Sequence, residues 1–598
     1  NFILRMLSLH LSLVIVLVMN TDSADLYRRV PIGDRVPPEV TLPHGGTVTG
    51  TRIRLPNQRT VSAFVGIPYA KPPVGNLRFA KPVPDEGWSG RRDASKPGPS
   101  CLQNYGEQFP YFFNDQTNFS ENCLYLNVFT QSRFIEQTNH PVNPQNRSHS
   151  SGWPIIFYIH GGSFSTGDGI NRDGSGLTAQ GDVLFVSINY RLQLLGFLNY
   201  GENIPKNLGL HDIIMALEWV QKNIQRFGGD SERVTIVGES AGAAIVTYLH
   251  LSDRTRGLFS RSIILSGSLS APWAFMSNVD ELQQKFNILV RNTSCDNEYS
   301  TLRCLKSVSS ESITAAHNAI NAEYMMDVWA PVVDNDVVMY EPRTILEKGA
   351  FDTDRPMLSG VCEDEGGHLA VIFALITSGK DLKPENSTIK DIGEFKALSV
   401  DSRWIYNETL PCMEDGGLEV VKLYCPPPDD ERPDDTEPDL KYKYSDFLGD
   451  WLMICPQQTM AQLLASSGVP VYQYVFSYQS LSNTEDPKWT GVQHNADMAY
   501  AFGLPFSLES QFTNESKREY NRDDVIVSQM MISVFSSFAS SGVPKLDIDE
   551  FEWLPLGESI HTAKLEKFPY IVEEWRMAEC KELTDTVLKN EQECPETI

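Results

Sequence analysis

The sequence predicts an α/β fold, one large and mostly parallel sheet with helices on both faces. Short apolar, β-branched runs alternate with helix-period segments through the middle of the chain, the pattern of a doubly wound sheet. No internal repeat and no dividing linker breaks the 598 residues into separate folds. Hydrophobic residues make up 41% and charged residues 21%, as in folded globular proteins.

Taken in order, residues Gly45 to Val65 alternate like a twisted antiparallel entry. A proline-rich connector, "GIPYAKPPVGNLRFAKP", follows. The strand-and-helix series then runs through "LYLNVFT", "WPIIFYIHGG", "DVLFVSINY", "ALEWVQKNIQRFGG", "RVTIVGES" and "FSRSIILSGS". Residues Thr130 to Gly152 are polar and read as a surface insertion. Asp381 to Asp439 are irregular too, and "CPPPDDERPDDTEPD" is an acidic, proline-broken loop.

The opening "NFILRMLSLHLSLVIVLVMNTDSADL" has the layout of a secretory signal. Arg5 precedes an apolar run from Met6 to Met19, and small residues suit cleavage after Ser23. That run falls short of the roughly 20 residues a membrane span needs. Secretion permits disulfides among the ten cysteines. Cys101 with Cys123, Cys295 with Cys304, Cys455 with Cys580 and Cys412 with Cys425 are the candidate pairings, although spacing alone leaves connectivity open. Cys362 and Cys594 remain, the latter for a bridge between two subunits of a homodimer or for no partner. Glycosylation sequons stand at Asn118, Asn146, Asn292, Asn386, Asn407 and Asn514.

The net charge of −27 argues against nucleic acid and anionic membrane as partners. No metal or cofactor is expected: there is no His-Glu-x-x-His, no Cys-x-x-Cys and no phosphate-binding glycine loop.

The chemistry centres on "VTIVGESAGAAIV", Val234 to Val246. Ser240 stands between Gly238 and Gly242, where a β-branched run gives way to a small-residue helix. A strand-to-helix turn of this kind holds a serine hydroxyl outward, and glycines remove side chains that would collide in it. Ser240 is therefore a candidate nucleophile rather than an ordinary turn residue. Upstream, "IIFYIHGGSF" ends an apolar strand at a glycine pair. The N–H groups of Gly162, Ser163 and Ala241 are candidates for an oxyanion hole. The matching acid and histidine should follow the serine. His250, His317, His368, His494 and His561 all do so, as do the acidic segments "GVCEDEGG" and the loop near Asp429. Pattern alone leaves this choice open.

With these motifs in hand, the chain resembles the type-B carboxylesterase and cholinesterase family of α/β-hydrolases. The resemblance runs from about Gly46 to about Cys580 and rests on "FVGIPYAKPPVGNLRF", "ENCLYLNVF", "IHGGSF", "FGGDSERVTIVGESAG", "APWA", "EDEGG" and "GVQHNADMAYAFGLP". It implies the α/β-hydrolase fold for residues 24–580, after a signal at 1–23 and before a polar tail at 581–598. It implies a triad of Ser240, Glu365 and His494, a buried ion pair between Arg78 and Glu121, and the first three disulfides named above. It also implies a secreted serine hydrolase of small-molecule carboxylic esters.

Departures from the family pattern bear on substrate. Cholinesterases stack choline on a tryptophan between the first two disulfide cysteines. Here that loop has none, and Phe113 or Tyr111 is a weak substitute within it. His368 and Leu369 replace an aromatic pair, and Met325 and Asp327 stand where acyl-pocket phenylalanines are expected. Trp273 of "APWA" is assigned to the acyl side, and Glu239 precedes the nucleophile as in cholinesterases. A general carboxylesterase is the reading this favours. A choline-ester hydrolase and an adhesion or binding member of the family are the alternatives.

Overall fold

A computed structural model describes residues 36–103, 118–139, 152–201, 203–296, 300–324, 329–349, 351–378, 380–383, 387–389, 423–424, 440–482, 487–507, 519–546, 548, 551–557 and 560–593. The expected signal at 1–23 lies outside them, as do Tyr111, Phe113, Met325, Asp327, Cys412, Cys425, Cys594, Asn146, Asn386, Asn407 and Asn514.

The β-branched and aromatic runs form a single sheet of 11 strands. In chain order these are β1 (Thr51–Arg54), β2 (Thr60–Pro68), β3 (Tyr125–Gln131), β4 (Trp153–Ile159), β5 (Leu184–Ile188), β6 (Gly229–Glu239), β7 (Arg261–Leu265), β8 (Met357–Cys362), β9 (Val471–Phe476), β10 (His561–Leu565) and β11 (Tyr570–Glu573). Their spatial order is β1-β2-β3-β5-β4-β6-β7-β8-β9-β10-β11. The strands from β5 to β10 pair in parallel, whereas β1 to β3 and β11 join antiparallel at the two ends. This is the α/β-hydrolase fold, as the sequence leads one to expect.

Side-chain alternation along each strand feeds two separate cores. On β4, Ile155, Phe157 and Ile159 enter one hydrophobic cluster with the helices Leu208–Asn223 and Ala241–Leu251. Ile156 and Tyr158 enter another on the opposite face, with the helices Ser175–Gly181 and Arg522–Ser541. Covering the sheet on both sides explains why its central strands are mostly apolar and buried. A third cluster joins the helix Gly366–Ser378 to the helix Lys441–Gly449 and includes Cys455 and Cys580.

Two boundaries differ from the sequence reading. The segment after Thr130 starts with the end of β3 and a helix, Ser132–Asn139, rather than an irregular insertion. Phe134 anchors it, 2% exposed and stacked on Trp153 at 4.4 Å. Residues 581–593, expected to be a polar tail, continue the helix Met577–Glu593. Leu583 is buried and Cys580 is bonded to Cys455, which together dock that helix.

Disulfides Cys101–Cys123, Cys295–Cys304 and Cys455–Cys580 are formed, and Cys362 is a buried free thiol. Arg78 and Glu121 form a buried two-point ion pair at 2.6 and 2.7 Å. Arg78 also donates to the carbonyls of Leu305 and Val308, and Ser310 donates to Glu121. The pair therefore ties the proline-rich connector to the segment that follows the Cys295–Cys304 loop. Among the described residues, no helix is long and apolar enough to cross a membrane.

Candidate active site

Four segments meet at the carboxyl ends of the central strands, where open α/β sheets place their sites. Ser240 directly follows β6 and opens the helix Ala241–Leu251. Its backbone takes φ 55° and ψ −124°, a positive φ that is costly for a residue with a Cβ. The Ser240 N–H donates to Leu265 O of the neighbouring strand end at 2.8 Å, which holds the turn.

The flanking glycines are required by close backbone approach. A Cβ on Gly238 would stand 2.2 Å from Gly242 O, and one on Gly242 would stand 2.2 Å from Ile159 O. The helix can thus rise between its own strand and the loop after β4. Every residue of that helix is buried, matching its run of small and apolar side chains.

The loop after β4 reaches the serine through Gly161. A Cβ there would lie 2.7 Å from Glu239 Oε2 and 3.0 Å from Ser240 Cβ. Gly162 has φ +101° and Ser163 has φ 54°. Among the described residues, neither the Gly162 N–H nor the Ser163 N–H is engaged in a hydrogen bond. The Ala241 N–H is the first of its helix and has no carbonyl four residues back to bond. Gly161 thus brings the start of this loop against Ser240, and Ala241 adjoins the serine in the chain.

Glu365 follows β8 and is fully buried. Its Oε1 accepts from Ser266 Oγ at 2.5 Å and from the Cys362 N–H at 2.7 Å. Its Oε2 lies 2.6 Å from His494 Nδ1. Of the five histidines after the serine, the fold brings His494 to this carboxylate. His250 instead pairs with Ser262 at 2.8 Å, and His317 contacts Asn321 at 3.2 Å.

The two loops that carry this pair are clipped together by Asp364. The Asp364 N–H donates to Val492 O at 3.0 Å, and its carboxylate accepts the Val492 N–H at 2.8 Å. Gly491, with φ +62°, has no room for a side chain, since a Cβ would meet Asp364 Oδ2 at 2.1 Å. Gly367 likewise leaves space for Thr490 O. Gln457 braces the strand ends beneath, accepting from the Gly267 N–H and donating to Ser359 and Gly360. Sequence reasoning does not reach Ser266, Asp364 or Gln457. Asp364 has one signal, its place beside Glu365 in "EDEGG", while the other two act only through tertiary contacts.

The second ring nitrogen of His494 faces Glu239, with Nε2 to Oε1 at 3.1 Å. Among the described residues, Ser240 makes no side-chain hydrogen bond to His494 in this state. Burial alone would lower the His494 pKa, but the Glu365 and Glu239 carboxylates outweigh it and raise it to about 10. The resting imidazole is consequently a cation held between two carboxylates. Asp497, buried behind the site with Tyr474 on its Oδ2 at 2.7 Å, has its pKa pushed to about 6 by burial.

Of the residues assigned to a substrate pocket, Trp273 is half-buried, donates to Leu452 O at 3.0 Å and lies 6.2 Å from the Phe164 ring. His368 is half-buried in the first turn of the helix Gly366–Ser378. Glu239 is nearly buried beneath the histidine.

Comparison with known proteins identifies the family. The sequence model of the "Carboxylesterase family" matches residues 36–578. A mouse (Mus musculus) protein named Cholinesterase is 33% identical over 499 residues, covering 81% of this chain and 76% of that protein. Mouse Neuroligin-2 is 32% identical over 531 residues, covering 84% of this chain but 60% of its own length. With that match spanning nearly the whole sheet and every segment of the site, the chain belongs to the carboxylesterase family.

Proposed function

We propose that the protein is a secreted serine carboxylic-ester hydrolase, with Ser240 as nucleophile, His494 as general base and Glu365 as its orienting acid. The observation that carries this reading is the Glu365–His494 contact at 2.6 Å, set beside a strained Ser240 and the free N–H groups of Gly162, Ser163 and Ala241.

In the reaction, the His494 ring loses its Nε2 proton to solvent, keeps Nδ1–H on Glu365, and turns Nε2 from Glu239 toward Ser240. Ser240 Oγ attacks the ester carbonyl carbon while Nε2 takes the hydroxyl proton. Glu365 holds Nδ1–H and stabilises the imidazolium that forms. The negative charge that develops on the carbonyl oxygen is met by the three N–H groups, which need no reorganisation. The tetrahedral adduct collapses, and the alkoxide leaves with the proton from Nε2. Water then attacks the acyl-serine by the same route and releases the acid.

The described disulfides support a secretory route. Asn118 and Asn292 are exposed, as glycan acceptors must be. The substrate class rests on the departures from the cholinesterase pattern, the loop between Cys101 and Cys123 that has no tryptophan and the His368 and Leu369 that replace an aromatic pair. We assign general short-chain esters. The relative named Cholinesterase makes choline esters the second reading. Rates on a neutral aryl ester and on a choline ester of equal acyl length, with Ser240→Ala as control, test both. Hydrolysis lost in the variant supports the enzyme, and equal parent rates on the two esters exclude choline specialisation. Equal rates in parent and variant contradict the assignment.

A further inference from the structure

We propose that His160 is a positioning residue that aims the Gly162 N–H at the developing oxyanion by gripping the opposite edge of the same peptide plane. The inference rests on the esterase reading above and names a residue that makes its oxyanion hole work.

A trans peptide unit is planar, so its C=O and N–H point to opposite edges. The Gly162 N–H shares its unit with the Gly161 carbonyl. That unit is flanked by two residues without a Cβ, so its rotation meets the least steric resistance of any peptide in the loop. An unrestrained plane there would turn a carbonyl, rather than a donor, toward the serine.

His160 Nδ1 lies 2.9 Å from Gly161 O. A carbonyl oxygen only accepts, so the ring carries its proton on Nδ1 and donates. The imidazole is fixed in this orientation, being 4% exposed and stacked on Tyr190 at 4.4 Å and 21°. The Tyr190 hydroxyl in turn donates to His160 O at 2.9 Å. On the other side Gly167 closes in so tightly that a Cβ there would stand 2.3 Å from Nδ1. Burial lowers the His160 pKa to about 4, so the ring is neutral and has one proton to place. Nε2 is buried with no hydrogen-bond partner among the described residues.

The next peptide is fixed by the same logic from a different source. Gly162 O accepts the N–H groups of Ser165 and Thr166 at 2.9 Å and the Thr166 hydroxyl at 3.0 Å. Its partner edge, the Ser163 N–H, is thereby turned away from that turn. Of the two planes, the one between the glycines depends on a side chain alone, and that side chain is His160.

Measuring kcat and KM for a short-chain aryl ester, together with inhibition by an aryl trifluoromethyl ketone, tests the proposal. That ketone adds to the serine as a tetrahedral oxyanion. His160→Leu, which keeps bulk but no donor, is expected to lose about 10- to 100-fold in kcat, with KM within about threefold. Ketone affinity should fall by the same factor. His160→Asn, which restores an N–H near the Nδ1 position, is expected within about fivefold of the parent kcat.

A leucine variant that matches the parent, one that changes KM alone, or equal losses in both variants would overturn the proposal. If the leucine chain does not fold, the asparagine chain decides, and a kcat loss beyond about 50-fold in folded protein contradicts it. A parent without hydrolysis defeats the esterase reading and this inference together. An active parent with an indifferent His160→Leu defeats the inference alone.

Discussion

Glu239 Oε1 sits 3.1 Å from His494 Nε2, on the very nitrogen that a serine–histidine couple needs. Glu365 holds the other nitrogen at 2.6 Å. The histidine is thus charged at rest, and its availability as a base depends on how strongly Glu239 competes.

Replacing Glu239 by Gln removes one of the two carboxylates that raise the His494 pKa to about 10. The ring then deprotonates more readily, and the acid limb of kcat/KM against pH moves to lower pH. A shift of about one unit or more is expected, since an adjacent opposite charge moves a pKa by about 1–3 units. A pH–rate profile of both proteins checks it.

The same ring makes stability depend on pH. A histidine raised from 6.5 in the unfolded chain to about 10 in the fold contributes stability that is complete below pH 6.5. That contribution declines as pH rises toward 10. Thermal unfolding across this window should show a falling midpoint, with a shallower fall in Glu239→Gln.

The clip between the acid and histidine loops predicts a selective defect. Asp364→Ala strips the acceptor from the Val492 N–H, two residues before His494. Losing one such bond costs about 1–3 kcal/mol locally. Because the loop that carries the base loosens, kcat should fall by about tenfold with KM little changed. Steady-state kinetics and thermal unfolding on one preparation separate the two effects.

The Arg78–Glu121 pair is buried on both sides, so it behaves unlike a surface ion pair. Glu121→Gln leaves the guanidinium without its counter-charge. A loss of about 3–5 kcal/mol is expected in denaturant unfolding, and replacing both residues by apolar ones should cost less.

The sheet and the serine turn are legible because both are written in local pattern. The β-branched run before Ser240 and the small residues after it are read along the chain, and Gly238 answers a contact with Gly242 four residues on, whereas Gly242 makes room for Ile159 O of the neighbouring strand. Glu365 and His494 are legible only through resemblance. They are 129 positions apart, and the contact between them exists only once β8 and β9 pair. The capture of Nε2 by Glu239 is not legible, because it depends on the direction of one ring within the assembled site. The helical start of the supposed insertion escapes the sequence reading because Phe134 and Ile135 are a short apolar signal inside a polar stretch.

The most direct test of Ser240 as the nucleophile is the intact mass of the folded protein after exposure to an organophosphate, followed by peptide mapping. A single adduct on Ser240, absent from Ser240→Ala, is the expected result. A folded, disulfide-intact protein that takes no adduct, or takes it on a residue other than Ser240, would contradict that role.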